Sequence, residues 1–197
     1  MKVLVNIFHP NLTESNVNKA WMKRLEKEDV ENVTVNNIYE RYPNWEIDVE
    51  KEQELLLKHD RIVFQFPFYW YSTPPLMKKW LDDVLTFGWA YGTNGTQLRG
   101  KEFVLAISVG GPQKSYRAGG YNNYTISELT KPLQQTANLT GMKFLTHFVQ
   151  YNSVVATEKE ISESAEGLVQ HIKDPALNPN IALKRILNEM AEKDVTL

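Results

Sequence analysis

Three short runs, 2–8 (KVLVNIF), 61–66 (RIVFQF) and 102–109 (EFVLAISV), are almost continuously apolar, and each is followed by a stretch with apolar residues at helical spacing. Strands that are covered on both faces read this way, because neither side of the pleat meets water. Two further runs, 33–38 and 143–149, have the length and β-branched content of strands. Between and after them lie six predicted helices. The first spans 15–28, with Ser15 as N-cap and Val17, Ala20, Trp21 and Leu25 on one face. The second spans 49–58 with Leu55, Leu56 and Leu57 inward, and ERYPNW (40–45) is read as a loop. The third spans 75–85, where proline suits the first turn and Leu76/Met77, Trp80/Leu81 and Val84/Leu85 form a stripe. The others span 125–139, 158–173 and 180–193. This alternation predicts an α/β fold: a five-stranded parallel sheet with helices on both faces. No composition shift marks a linker, so 1–197 is read as one domain.

A net charge of −2 leaves no basic footprint for nucleic acid. With no cysteine, disulfides, thiolate nucleophiles, iron–sulfur clusters and Cys-based zinc sites are excluded. A cysteine-free chain also fits a reducing compartment, the cytoplasm. The N-terminus does not read as a signal peptide, and no run of about 18 apolar residues predicts a membrane span. The four histidines (9, 59, 147, 171) show no metal-ligand spacing. The stretch GTQLRGKE (95–102) approaches a phosphate-binding loop, but it lacks the Ser/Thr and precedes a strand instead of following one. No G-x-G-x-x-G follows the first strand.

In open α/β sheets ligands bind beyond the carboxyl ends of the strands. Three such ends carry unusual sequence: HPNLTESNVN after the first, PFYWYSTP after the third, GGPQKSYRAGGYNN after the fourth. Hydroxyls, amides and free N–H groups around Ser15 suit a phosphate, although Ser15 as a plain cap explains them equally. Gly110-Gly111 allows close backbone approach to a ligand, or makes a tight turn. Tyr116 and Tyr121 are phenol donors or packing rings. The aromatic loop 86–100 is too long and too rich in rings to be a plain connection.

Taken together, HPN…S.VN (9–18), FPFYWYSTPPLMKKWLDDVLTFGWAYG (66–92) and SVGGPQKSYRAGGYNNYTISELTKPLQQTANLTGM (108–142) resemble the flavodoxin-like NAD(P)H:quinone oxidoreductases, a family that includes DT-diaphorase and the ancillary flavoproteins of glutathione-gated potassium efflux. The likeness runs from the first strand to about residue 151. It implies a flavin cofactor, FMN in preference to FAD, with NADPH or NADH as hydride donor. It places His9, Ser15, Val17 and Asn18 at the flavin phosphate. Pro67, Phe68, Tyr69, Trp70 and Tyr71 fall along the isoalloxazine, and Ser108, Gly110 and Gly111 at its pyrimidine end. Tyr116 and Asn122 fall at the catalytic positions. Mammalian members carry histidine where this chain has Asn122, and an amide hydrogen-bonds without titrating. The implied reaction is ping-pong: hydride passes to flavin N5, then two electrons to a quinone-like small-molecule acceptor. Azo or nitro reduction, and an FMN-binding regulatory subunit with a peripheral membrane partner, are the alternatives. The resemblance also implies a homodimer with the aromatic loop 87–91 at the subunit contact.

Overall fold

The computed structural model describes residues 1–28 and 31–192. Its sheet runs β1 (Val3–Ile7), β2 (Val33–Asn37), β3 (Arg61–Pro67), β4 (Glu102–Ser108), β5 (Lys143–Phe144) and β6 (Phe148–Gln150). All ladders are parallel, in the order β2-β1-β3-β4, with β5 and β6 both pairing β4. Helices α1 (Asn16–Leu25) and α7 (Glu158–Lys173) pack together on one face. Helices α3 (Val49–Leu57), α4 (Pro75–Val84) and α6 (Lys131–Thr140) cover the other. The arrangement is a flavodoxin-like fold.

The pleat sorts the strand residues between two cores. Leu4, Ile62, Phe64, Phe103 and Leu105 join Leu56, Trp80 and Leu133 on one side. Val3, Val5, Val63, Val104 and Ala106 join Trp21, Leu25, Leu168 and Ile172 on the other. The period of two on each strand and the helical stripes point into the same two volumes, which is why the fold class is readable from pattern alone.

Several predicted boundaries move, each for a local reason. The fifth run is not one strand. Between the pairs Phe103↔Phe144 and Ala106↔Phe148, residues Leu145, Thr146 and His147 stand opposite Val104 and Leu105 alone, so β5 and β6 are separated by a bulge of one extra residue. It reverses the pleat: Phe144 packs into one core and Phe148, four residues on, into the other. The helix expected over 125–139 is two: α5 (Ile126–Leu129), opened by a Thr125/Glu128 capping box, and α6, with Pro132 in its first turn and Gly141 as its left-handed cap at φ 73°. Pro132 has no N–H to continue a helix through this point. One turn of helix, α2 (Ile38–Arg41), begins directly after β2, taking Ile38 from the expected strand into the core and Glu40 and Arg41 from the expected loop. In α3 only Leu56 of the three leucines is buried. Leu57 is exposed, and Glu52 takes the inward place. Glu52 accepts hydrogen bonds from Asn36 Nδ2 (3.0 Å), the Tyr42 hydroxyl (2.9 Å) and Trp80 Nε1 (2.9 Å), so the buried carboxylate is compensated. Helix α7 has the predicted bounds. Helix α8 (Pro179–Glu192) contains no buried residue, and Lys193 of the expected last helix lies outside the described residues. Among the described residues no helix is long and apolar enough to cross a membrane, and no cluster of metal-ligating side chains occurs.

Candidate functional site

The chain runs out from β1 to β2, then returns across the molecule to β3, so β1 and β3 are neighbours whose connections leave in opposite directions. Such a switch point opens a crevice at the carboxyl ends. Here it is a cleft of about 390 Å³, within the usual range of about 300–1,000 Å³ for small-molecule sites. His9, Ser15, Asn16, Val17 and Asn18 form its floor after β1. Pro67, Phe68 and Tyr69 form one wall, and Ser108 and Gly110 the other.

The first turn of α1 presents donors. Ser15 Oγ accepts the Asn18 N–H at 3.1 Å, so the cap reading of Ser15 holds in this structure. The N–H groups of Asn16 and Val17 have no partner within the helix, as for any first turn, and both residues line the cleft. His9 is buried, and its Nδ1 accepts the Asn11 N–H at 3.2 Å. That bond assigns the ring proton to Nε2, leaving a second donor for the cleft. Burial lowers the His9 pKa, so the imidazole is neutral at neutral pH. Glu14 also reaches the lining, with its carboxylate held by Asn11 Nδ2 at 2.6 Å.

Asn18 does more than face the cleft. Its Nδ2 donates to Ser108 Oγ at 2.8 Å, and Gln65 Nε2 donates to its carbonyl oxygen at 3.0 Å. The N-terminus of α1 is thereby clamped to the ends of β3 and β4. The turn after β3 is tight: the Ser72 N–H donates to the Tyr69 oxygen at 2.9 Å, and the two central residues, Trp70 and Tyr71, have φ of 49° and 59°. Two positive φ values are the signature of a type I′ turn. Trp70 stands at its tip, 92% exposed, outside the cleft lining.

The loop after β4 is braced from the side. Tyr71 Oη donates to Asn122 Oδ1 at 3.0 Å, Asn122 Nδ2 donates to Ser115 Oγ at 2.8 Å, and Ser115 Oγ donates to the Pro112 oxygen at 2.7 Å. Asn122 thus ties the two turns together. Gly111 sits where a Cβ would stand 3.0 Å from Tyr121 Oη and 3.2 Å from Tyr116 Cε2, so its missing side chain lets those rings close over the turn. Tyr116 does not line the cleft. It borders a separate cavity behind this loop, and burial raises its pKa, keeping the phenol protonated.

The structure therefore brings together His9, Ser15, Val17, Asn18, Pro67, Phe68, Tyr69, Ser108 and Gly110, and leaves Trp70, Tyr71, Gly111, Tyr116 and Asn122 outside the lining. It adds Ser153 and Val154, from the loop after β6, which the sequence reading did not single out. That loop is held by Asn152 N–H to the Gly111 oxygen (3.1 Å) and Ser153 N–H to the Val109 oxygen (2.9 Å). The signal was present in the rule already applied: the end of the fifth strand position is also a carboxyl end.

A family model described as a flavodoxin-like fold matches residues 1–172. The chain belongs to this family. Within the flavodoxin-like family, the uncharacterised NAD(P)H oxidoreductase YdeQ of Bacillus subtilis (strain 168) is 51% identical over 196 residues, spanning 100% of this chain and 98% of that one. The general stress protein 14 of Treponema denticola, solved in complex with FMN, superimposes with a TM-score of 0.85 at 38% identity, covering 90% of this chain and 99% of that one. An NADPH-quinone reductase from P. pentosaceus superimposes with a TM-score of 0.80 at 32% identity, over 88% and 99% of the two chains.

Proposed function

We propose that the cleft holds FMN and that the protein is an NAD(P)H:quinone oxidoreductase. The observation that carries this reading is the convergence, at the sheet's switch point, of the α1 N-terminus with the turns after β3 and β4. It is supported by the structural relative solved with FMN and by the relatives named as oxidoreductases. The donor set fits the cofactor. Helix N–H groups and the His9 Nε2–H suit a phosphate, and the one carboxylate on the lining, Glu14, is taken up by Asn11 Nδ2. At Gly110 a Cβ would meet only Val154 Cγ2, at 3.5 Å, so the backbone there is open to a ring edge.

Bound FMN would supply the two-electron chemistry, taking hydride from NAD(P)H and passing electrons to a quinone-like acceptor in alternate half-reactions. The protein's own share is placement. Phe68 and Tyr69 give an apolar wall, and the Gly110 and Gly111 N–H groups would stabilise negative charge gathering at the ring edge. Tyr116 offers a protonated phenol one turn further out. Asn122 acts as a positioning residue, holding Tyr71 and Ser115. The rings of Trp70, Phe87, Tyr121 and Tyr124 are exposed, and we place a second subunit against them.

The test begins with the purified protein. Heat release is expected to yield FMN at near one per chain, and the flavoprotein is expected to oxidise NADPH beyond the one equivalent that reduces its flavin only when a benzoquinone is supplied. An azo dye and a nitroaromatic run in parallel rank the acceptors. Protein that carries no flavin and takes up none on titration ends the proposal.

A further inference from the structure

Behind the loop after β4 lies a second cavity, of about 470 Å³, lined among others by Lys114, Tyr116, Arg117, Ser127, His147 and Tyr151. Tyr116 is the partition between the two sites: its ring lies 5.9 Å from that of Tyr151 and borders this cavity, while its edge abuts Gly111 at the start of the loop after β4. Lys114 and Arg117 are three apart, on and just after the 3₁₀ turn Gln113–Ser115, and side chains at that spacing fall on one side of such a turn. Among the described residues neither has an ion-pair partner, and both line the cavity. Glu128, on the adjoining α5, is occupied by the Thr125 N–H and hydroxyl. The bulge between β5 and β6 brings His147 to the same cavity, and burial keeps its imidazole neutral. Two uncompensated cations, a serine hydroxyl and a neutral imidazole form a receptor for a compact dianion, and a phosphomonoester is one.

We propose that this cavity seats the 2′-phosphate of NADPH and makes the protein prefer NADPH to NADH. This rests on the reading that the neighbouring cleft carries the flavin. A dinucleotide whose nicotinamide lies over the ring would pass Tyr116 to reach it. Of the two kinds of phosphate in NADPH, the monoester matches the pair of cations. The diester bridge, common to NADH, carries a single charge on each phosphorus.

The experiment uses the FMN-loaded protein and the Lys114→Ala/Arg117→Ala variant. Initial rates with NADPH and with NADH are measured at saturating quinone, and 2′,5′-ADP and 5′-AMP are titrated calorimetrically. The expected result is a fall in kcat/KM for NADPH of about tenfold or more, the equivalent of losing one or more charge-assisted hydrogen bonds. The NADH value should stay within about twofold, and 2′,5′-ADP should bind the unaltered protein more tightly than 5′-AMP and lose that advantage in the variant. Equal losses for both cofactors, no loss for either, or equal binding of the two adenosine phosphates would overturn the assignment. The titration does not depend on turnover: a protein that binds 2′,5′-ADP as expected but oxidises neither cofactor sinks the oxidoreductase reading and leaves this site standing.

Discussion

Trp70 and Tyr71 hold the two central places of a turn that ordinarily takes Asn-Gly, because a Cβ at positive φ crowds the backbone at a cost of about 1–2 kcal/mol per residue. Nothing in the packing offsets the cost at Trp70, whose side chain is exposed. A strained residue kept without structural return points to a task performed on something outside the chain. We therefore predict that Trp70→Gly leaves the urea midpoint equal or higher, the relief of strain being partly offset by about 0.5–1 kcal/mol of glycine entropy. The same change should weaken FMN binding or raise KM for the acceptor. Flavin fluorescence titration and steady-state kinetics read these two effects, and a variant unaltered in both would leave the ring without a role. At this scale the aromatic run was legible as a wall, because rings and one proline at the end of an apolar strand have few other uses. The turn type was not legible, since Trp-Tyr carries none of the usual sequence marks. The Asn18 clamp was equally hidden: an asparagine in the first helical turn looks like a phosphate donor until the distant Ser108 and Gln65 are seen beside it.

Among the elements, those whose pattern and capping agree came through unshifted. Helix α7 opens on a capping box, with the Thr157 hydroxyl accepting from the Glu160 N–H and Glu160 reaching back to the Thr157 N–H, and it closes with His171 and Lys173 in its last turn. Elements set by long-range partners did not. The bulge after β5 depends on register against β4, and no residue within 143–149 announces it. Arg61 is a similar case. It opens a strand that reads as apolar, yet it is fully buried, with Nε donating to Glu102 Oε2 at 2.8 Å and Nη1 to the carbonyls of Ile172 (2.6 Å) and Asp174 (3.0 Å). It thus satisfies the C-terminal carbonyls of α7 and ties them to the starts of β3 and β4. Removing one partner of a buried pair strands the rest, so Arg61→Ala is expected to lower unfolding free energy by about 3–5 kcal/mol. Arg61→Met, which keeps much of the volume, should lose less only if packing is the larger share. Urea unfolding with an unchanged m-value checks both, and a loss below about 1 kcal/mol for Arg61→Ala would show that the C-terminus of α7 is held by apolar contacts alone.

For the whole molecule, the expectation of one domain over 1–197 becomes a narrower proposal: the two cores take residues up to Ile172, Leu177 packs against one of them, and α8 contributes nothing buried. The body so defined has a pH response set by its histidines. His9, His147 and His171 lie on the cleft, the second cavity and the α7–bulge contact respectively, and burial is the first cause lowering all three below the ordinary histidine value of 6.5. A histidine whose folded pKa is depressed binds its proton more weakly folded than unfolded. Stability is then complete above pH 6.5 and declines as pH falls below it, until the folded values are reached. For the flavin-free protein the urea midpoint should therefore drop between pH 7 and pH 5.5, well before the carboxylates titrate. The Glu28 carboxylate, held down by hydrogen bonds from Lys173 and Arg24, adds its own loss only at lower pH. Bound phosphate works against the first of these shifts, because a neighbouring anion favours the imidazolium. Reconstitution with FMN should thus flatten the decline, and His9→Gln should remove the difference between the two profiles. If the flavin-free and FMN-loaded proteins lose stability in parallel over that range, His9 does not face the phosphate, and the orientation of the cofactor in the cleft would have to be reversed.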